Sequence, residues 1–339
     1  MNCCQYCFSD REIKAIISEL SKNDGDCDVC GSTQSPIINI EELTDFFTPV
    51  MDLYVPDDTS NSSIHEILKA EWNIFRNNAY SKTILNEMFE GSSYKELFNH
   101  NVKPEYNDST KSIEIWSSFT DEIKTKNRFF ITNNVFVLDV IEKLLKYHTF
   151  DLKAGKLLYR SRICESPTGL PAIDLGAPNS GKARPGRANP SGISYLYLAK
   201  SEETTLYEVR ASFLDYVSVG KFELLEDVKV VALSDIRNIS PFSPDLDLKE
   251  YVSNKNILQQ FSTALSKPLR RKDSDLEYLP SQYLCEFIKS LGIDGVEYIS
   301  AMHEGGVNYA FFDQSKFKLI GATTKEVKKV LIETELAAT

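Results

Sequence analysis

The chain has 339 residues, of which 42% are hydrophobic and 26% are charged, and its formal net charge is -11. This length and composition predict a globular protein of two domains with a small additional element, and they exclude a disordered chain. The negative charge argues against a surface that gathers nucleic acid or anionic lipid. The N-terminus has no apolar signal-peptide core and no stretch long and apolar enough to cross a bilayer, so we expect a cytoplasmic protein without a membrane partner.

Five of the seven cysteines lie in the first 30 residues. Cys4 and Cys7 form one C-x-x-C pair and Cys27 and Cys30 form a second, at a spacing typical of zinc sites. Four thiolates would close a tetrahedron around the metal and cross-link a segment too small for its own core, which predicts a structural zinc ion. The pattern leaves open whether Cys3 or Cys4 is a ligand, and reduced surface thiols or a redox pair are the alternative to a metal.

The segment from residue 36 to about residue 150 has hydrophobic residues at a helical period. One example is the apolar face formed by Ile64, Ile67, Leu68, Trp72 and Phe75. Polar links separate such segments, so the pattern predicts a small helical bundle. Its scattered histidines are assigned no role, because a lone histidine on a helix is more often solvated or paired than a ligand.

At residues 156–163, KLLYRSRI, the pattern changes to that of a strand. Alternation places Arg160 and Arg162 on one face, so two guanidinium groups point the same way. Residues 165–192 contain five prolines and five glycines together with three basic residues, which predicts a long loop that handles phosphate. Its GAPNSGKA segment imitates a P-loop, but Ala183 stands where a magnesium-binding hydroxyl is needed, so triphosphate hydrolysis is not expected.

A strand, ISYLYLAK, and a helix are predicted after this loop. Ser201 is the expected N-cap of the helix, since acidic residues occupy its first turn. The predicted core stripe of the helix consists of three apolar residues, Leu206, Val209 and Phe213. Glu208 would then face away from the packing surface, and spacing alone describes it as a solvated residue.

Three blocks together resemble the RES-domain family, which is named for an arginine, a glutamate and a serine: YRSRI, GRANPSGISYLYLAKSEETTLYEVR and GVEYISAMHEGGVNYAFFD. They span about residues 150–322. Known members of the family are NAD-degrading toxins with an ADP-ribosyltransferase-like fold, so the resemblance implies NAD as the substrate. The cysteine pairs and the helical segment are similar to the HEPN-like region of some RES proteins, but the Arg-x4-6-His motif of HEPN ribonucleases is missing from this chain.

The predicted fold class is therefore α+β. It combines a small N-terminal zinc knuckle, a helical HEPN-like bundle and a C-terminal mixed α/β RES domain that resembles the ADP-ribosyltransferase fold. The predicted limits are residues 1–35 for the knuckle, 36–150 for the helical domain, 151–322 for the RES domain and 323–339 for a C-terminal tail.

The resemblance implies a catalytic set of Arg160, Glu208 and Ser300. The implied substrate-binding residues are Arg162, Arg187, Tyr195, Tyr197 and Asn308. Cleavage between nicotinamide and ribose suits this set, because the leaving group departs neutral and a developing sugar cation needs a carboxylate. The arginines would bind the diphosphate, the tyrosines would stack on a planar ring, and Ser300 would orient the ribose or the acceptor.

The sequence thus predicts an NAD glycohydrolase or phosphorylase that acts as a toxin. An ADP-ribosyltransferase that modifies a macromolecule is the close alternative, and a non-enzymatic interaction module is the distant one. These residues leave open whether the acceptor is water, phosphate or a macromolecule. The zinc element and the helical region carry no visible chemistry and are the expected surfaces for an antitoxin, another regulatory protein or self-association.

Overall fold

The structure is a computed structural model, and it describes residues 1–106, 109–131, 134–234, 236, 239–267 and 275–331. The chain divides into two compact units, each built from two stretches of sequence. The first comprises Met1–Ile113 and Asp235–Asn256, and the second comprises Glu114–Ser234 and Ile257–Thr339. The four domains predicted from the sequence have other limits than these two units, and they stay a prediction.

A three-stranded antiparallel sheet forms the N-terminal part of the first unit. Its strands are β1 (Asn2–Cys4), β2 (Asn23–Gly25) and β3 (Ser35–Asn39), with β3 in the centre. Helix α1 (Arg11–Leu20) begins after Asp10, whose carboxylate accepts a hydrogen bond from the Ile13 amide at 3.0 Å. This bond satisfies one of the free amide groups at the start of the helix.

The rest of the first unit is mostly helical, as the periodicity predicts. The helices are α2 (Thr44–Met51), α3 (Ile64–Glu71), α4 (Asn78–Met88) and α5 (Glu96–Asn99), and α6 (Ser109–Asp121) begins in this unit. The predicted apolar face is buried from Ile64 to Phe75, although α3 ends at Glu71. The helical pattern did not predict the antiparallel pair β4 (Tyr54–Pro56) and β5 (Val102–Pro104).

A mixed sheet of eight strands organises the second unit. Its strands are β6 (Thr149–Leu152), β7 (Leu157–Cys164), β8 (Leu196–Ala199), β9 (Tyr216–Leu224), β10 (Val228–Ala232), β11 (Gly295–Ile299), β12 (Val307–Phe311) and β13 (Phe317–Glu326). The order is β13-β9-β7-β8-β12-β11-β10-β6, and all neighbours are antiparallel except β10 and β11. Helices and a mixed sheet therefore occur together, as the α+β prediction requires.

The remaining helices are α7 (Asn134–His148), α8 (Glu202–Glu208), α9 (Leu248–Ser266) and α10 (Leu279–Ser290). Within the described residues, none of the helices combines the length and the apolar character that crossing a membrane requires. Of the predicted C-terminal tail, residues 323–326 continue β13, and residues 332–339 lie outside the described part of the chain.

The two faces of the large sheet differ in chemistry. One face carries an apolar core that includes Leu158, Leu198, Phe222 and Phe311. Because side chains alternate along a strand, the sequence neighbours of these residues lie on the other face. That second face carries buried apolar residues such as Val219 and Val296 beside polar ones, and the Thr205 hydroxyl of helix α8 is hydrogen-bonded there to Ser161 of β7.

Strand β7 separates from β8 in the middle of the sheet. It pairs with β9 from Leu157 to Cys164 but with β8 only through Tyr159 and Ala199. Among the described residues, no further pair joins the two strands, and the pairing ends beside Arg160, a predicted catalytic residue.

Candidate active site

Residues from separate predicted blocks meet around one carboxylate. Ser300 Oγ donates a hydrogen bond to Glu208 Oε1 at 2.6 Å, and Asn308 Nδ2 donates to the same oxygen at 2.7 Å. The two donors lie 92 and 100 positions from Glu208, so only the fold brings them together. They fix the direction of the carboxylate, while Oε2 accepts no hydrogen bond from the described residues.

Helix α8 carries Glu208 at its last position. Ser201 caps the helix as predicted, since its hydroxyl accepts a hydrogen bond from the Thr204 amide at 3.2 Å. The buried residues of the helix are Thr204 and Thr205, and the Thr205 hydroxyl is hydrogen-bonded to Ser161. Glu208 follows these threonines by four and three residues, which places it on the same face of the helix, toward the sheet.

The predicted core stripe of this helix is wrong. Phe213 is 61% exposed and lies beyond the helix end, and Leu206 and Val209 are only partly buried. The prediction assumed a longer helix, whereas Arg210 has a positive φ of 52° that is incompatible with continued helical backbone. The inward face carries hydroxyl groups and Glu208, so this glutamate does not point away from the sheet as spacing alone indicated.

Ser300 follows β11 directly and is 6% exposed. Its Oγ donates to Glu208 and accepts hydrogen bonds from the amides of Met302 at 3.2 Å and His303 at 3.1 Å. The His303 ring stacks on Tyr207 of α8 with a centroid distance of 4.6 Å. The segment after β11 therefore holds both the carboxylate and the helix that carries it.

Arg160 and Arg162 point to the same side of β7, as the alternation predicts. Arg160 donates to the carbonyl oxygens of Leu175, at 3.3 Å, and Gly176, and Arg162 donates to Gly176 at 3.1 Å. Burial, together with the charge of Arg162, lowers the pKa of Arg160 to about 10. Arg160 is still a cation at neutral pH, and within the described residues neither arginine forms an ion pair with an acidic side chain.

A cavity of about 320 Å³ lies where β7, β8 and α8 meet. Its lining includes five of the eight predicted catalytic and substrate-binding residues: Arg160, Arg187, Tyr197, Glu208 and Asn308. Ser300 contacts Glu208 but does not line the cavity, and neither do Arg162 and Tyr195. Two arginines and one oriented carboxylate thus belong to the lining of a single cavity. The Arg160 guanidinium itself lies on the face of β7 that carries Leu158, where it bonds to Leu175 and Gly176.

The two predicted stacking tyrosines have different surroundings. Tyr195 precedes β8 and is 1% exposed, with its hydroxyl donating to Glu286 and its ring 4.8 Å from that of Phe312. Tyr197 lies in β8 and lines the cavity, while its hydroxyl donates to Asn189 Oδ1 at 2.7 Å and accepts two backbone amides of the loop before β8. Tyr197 can therefore present its ring, but not a free hydroxyl, to a ligand.

Some polar lining residues were not predicted as site residues, among them Tyr159, Ser161, Thr205 and Tyr298. Strand pairing aligns Tyr159 with Ala199, Ala199 with Asn308, and Asn308 with Tyr298. This row crosses four strands, and its register is not visible in a single sequence. The available signal was alternation, since Tyr298 precedes Ser300 by two residues and so shares its face.

The RES domain family model matches residues 158–329, just over half of the chain. The chain belongs to the RES-domain family. The matched range contains every residue that lines the cavity, whereas the N-terminal cysteines lie before it.

Two solved structures resemble part of this RES protein. One is the crystal structure of the M. tuberculosis MbcT-MbcA toxin-antitoxin complex, with a TM-score of 0.32 and 15% identity over 57% of this chain and 93% of that chain. The other is the crystal structure of an anti-CRISPR protein, with a TM-score of 0.20 and 10% identity over 54% of this chain and 98% of that chain. Likenesses this weak contribute nothing to the functional argument. No match was found among curated proteins.

Outside the RES domain, the predicted zinc ligands come together in the first unit. The Sγ atoms of Cys4, Cys7, Cys27 and Cys30 all lie within 4.8 Å of one another. The Cys4–Cys30 and Cys7–Cys27 sulfur distances are both 3.5 Å, close to the edge of about 3.8 Å of a tetrahedron with zinc–sulfur bonds of about 2.3 Å. The four thiols therefore fit a metal ion, and Cys4 rather than Cys3 belongs to the cluster.

Proposed function

We propose that the RES domain of this protein consumes NAD by cleaving the bond between nicotinamide and its ribose. The observation that carries the proposal is the orientation of Glu208 by Ser300 and Asn308 at the wall of a cavity. Arg160 and Arg187 line the same cavity. One fixed anion and two cations suit a substrate that has a diphosphate and a sugar that becomes cationic during the reaction. That this substrate is NAD comes from the family resemblance.

The reaction breaks the bond between ribose C1′ and the pyridinium nitrogen. The bonding electron pair stays with the nitrogen, so nicotinamide leaves as a neutral molecule and C1′ becomes oxocarbenium-like. Water that loses a proton on attack would give ADP-ribose, and inorganic phosphate would give ADP-ribose 1-phosphate. Glu208 Oε2 is the oxygen that would face the developing charge, a stabilisation of about 3–4 kcal/mol in a preorganised site.

The arginines would hold the diphosphate away from this carboxylate. Arg160 uses Nη1 for two carbonyl groups of the loop after β7, and a guanidinium has five N–H donors in total. Arg187 lines the cavity without an acidic partner in the described part of the chain. Forked, charge-assisted hydrogen bonds from both would fix the substrate relative to Glu208.

In this proposal, Ser300 is a positioning residue and not a nucleophile. Its hydroxyl proton is directed to Glu208, and its oxygen accepts two backbone amides. A hydroxyl with all of these partners would have to lose them before it could attack C1′. Asn308 is also a positioning residue, because its side-chain amide donates to the same carboxylate oxygen.

A regulatory partner and a structural metal ion are also part of the proposed function. As the family resemblance implies, the protein would act as a toxin in a toxin–antitoxin or defence system, with an antitoxin or another regulatory protein as its partner. Cys4, Cys7, Cys27 and Cys30 would hold a structural zinc ion. Four thiolates fill a tetrahedral coordination sphere, so the zinc would stabilise the fold without touching substrate.

The test is to incubate the purified protein with isotope-labelled NAD, with and without inorganic phosphate, and to identify the products by mass. Release of nicotinamide with ADP-ribose indicates hydrolysis, and ADP-ribose 1-phosphate that appears only with phosphate indicates phosphorolysis. The Glu208→Gln variant is expected to be slower by about 10³-fold, because it loses the charge that faces the sugar cation.

Glu203→Gln is the matched control, since Glu203 lies on the same helix with a 68% exposed side chain that approaches His303 only at 3.9 Å and does not line the cavity. It should retain the wild-type rate. Label transferred to a macromolecule would favour an ADP-ribosyltransferase instead. If the wild-type protein leaves NAD unchanged both with and without phosphate, a non-enzymatic interaction module is the better description of the protein.

A further inference from the structure

Tyr298 is a cavity residue for which the proposed reaction has no role so far. It lies on β11, is 5% exposed and lines the cavity. Its hydroxyl makes no hydrogen bond with the part of the chain that the structure describes. Buried tyrosine hydroxyls usually find a partner, so an unpaired one at a cavity wall indicates a group that binds ligand.

The strand register places Tyr298 beside the machinery that holds Glu208. Tyr298 pairs directly with Asn308 on β12, and directly opposed side chains share a face with their Cβ atoms about 4.5–5.5 Å apart. Asn308 in turn donates to Glu208 Oε1 at 2.7 Å. Tyr298 therefore extends from the same patch of the sheet that supports the carboxylate.

The phenol of Tyr298 is a neutral hydrogen-bond donor. Burial, followed by the influence of Tyr197 and the negative charge of Glu208, raises its pKa well above the ordinary value. A neutral phenol has one proton to donate and also accepts. Tyr197 offers a direct contrast at the same cavity, because its hydroxyl is already bonded to Asn189 and to two backbone amides.

The neighbouring carboxylate restricts what Tyr298 can bind. A phosphate oxygen between the phenol and Glu208 would accept from the phenol but would be repelled by the anion. A sugar hydroxyl satisfies both groups, because it can accept from the phenol and donate to Oε2 of Glu208, which no described residue occupies. Arg187, whose positive charge also acts on the Tyr298 phenol, and Arg160 are then left for the diphosphate.

We propose that the Tyr298 hydroxyl binds a hydroxyl of the ribose that carries nicotinamide and so selects and orients the sugar beside Glu208. This inference rests on the proposed function. It adds a specificity determinant on β11 to the predicted catalytic and substrate-binding residues. The contact to a hydroxyl on C2′ or C3′ would orient the ribose so that C1′ lies beside Glu208, and an analogue without that hydroxyl would lose the contact.

The test compares wild type with Tyr298→Phe on NAD and on analogues that lack the 2′- or the 3′-hydroxyl of the nicotinamide ribose. For NAD, we expect kcat/KM of Tyr298→Phe to fall by about 10- to 100-fold, because a site group that pairs with a substrate hydroxyl is lost. For one of the two deoxy analogues, wild type and variant should be equal. Tyr309→Phe is the matched control, since its hydroxyl donates to Glu297 and it lies outside the cavity lining.

Calorimetry of NAD and ADP-ribose binding by the same proteins separates this inference from the proposed function. If wild type binds NAD without consuming it and Tyr298→Phe weakens binding, the ribose contact stands and the reaction fails. An equal loss with NAD and with both deoxy analogues overturns the ribose contact while the reaction stands, as does a loss seen only when the nicotinamide carboxamide is present. If wild type neither binds nor consumes NAD, both proposals fall.

Discussion

The cysteine cluster of the first unit and the cavity of the second are both built from separated residues, but the separations differ greatly. The cluster closes within the first 30 residues, where two short turns each present a C-x-x-C pair. The cavity needs residues from Tyr159 to Asn308, carried by several strands, one helix and a long loop. A local site is encoded by spacing, whereas the cavity depends on how a sheet is paired.

The two sites also differ in what holds them together. The four thiols lie next to one another, and a bound metal ion would be needed to hold them together strongly. Glu208 instead receives hydrogen bonds from Ser300 and Asn308, which are themselves fixed by strands β11 and β12. Changes to the first site should therefore act on stability, and changes to the second should act on rate and substrate affinity.

The largest effect is expected from Cys27→Ser. Loss of one thiolate should abolish stoichiometric zinc and cost on the order of 5 kcal/mol of folding free energy, since metal binding is coupled to folding in such sites. Elemental analysis and thermal unfolding measure the two quantities. Cys3→Ser is the control, because Cys3 is buried like its neighbour Cys4 but lies outside the cluster. Zinc retained in Cys27→Ser, or lost in Cys3→Ser, would contradict the assigned ligands.

A smaller effect is expected from Ser300→Ala. Loss of one hydrogen bond to a charged group costs about 1.5–3 kcal/mol, which corresponds to a fall of about 10- to 100-fold in kcat for NAD consumption. The measurement is steady-state kinetics, with mass spectrometry of the intact protein during turnover. A covalent ADP-ribosyl adduct on Ser300 in wild type, together with complete inactivity of the variant, would show a nucleophile and reject the positioning role.

The smallest expected effect is a difference in KM for NAD between variants of the two arginines of β7. Arg160→Lys should raise KM for NAD about 10-fold, because a lysine cannot replace forked hydrogen bonds to a diphosphate. Arg162→Lys should change KM by less than about threefold, since Arg162 bonds to Gly176 and does not line the cavity. An equal change in KM in both variants would contradict the assignment of Arg160, and not Arg162, as the arginine that binds the diphosphate.

Helix α8 shows where the sequence misleads. Apolar spacing assigned Leu206, Val209 and Phe213 to the core, yet the inward residues are Thr204, Thr205 and Glu208. The side of this helix that faces the sheet carries two hydroxyl groups and the carboxylate, so the usual rule for a surface helix is reversed. Resemblance to the RES family, and not periodicity, pointed to Glu208.

Strand β7 shows the opposite outcome. Its alternation correctly placed Arg160 and Arg162 on one side, because side-chain direction along a strand is a local property. The sequence did not indicate that β7 pairs with β8 through one residue pair only, or that Tyr298 lies in register with Asn308. Pairing and register depend on distant strands, which no local pattern specifies.

By itself, the sequence determined the cysteine spacing, the order of the RES blocks and the two-residue alternation that sets the face of each strand. These properties depend on neighbours along the chain and on backbone geometry that every residue shares. Only the tertiary structure decided that Ser300 and Asn308 hold one oxygen of Glu208 and that Tyr195 and Arg162 do not line the cavity. It also decided that the Tyr298 hydroxyl has no hydrogen-bond partner among the described residues. Those outcomes follow from packing between segments as many as 100 residues apart, where the pairing of strands rather than the identity of any single residue sets the distance.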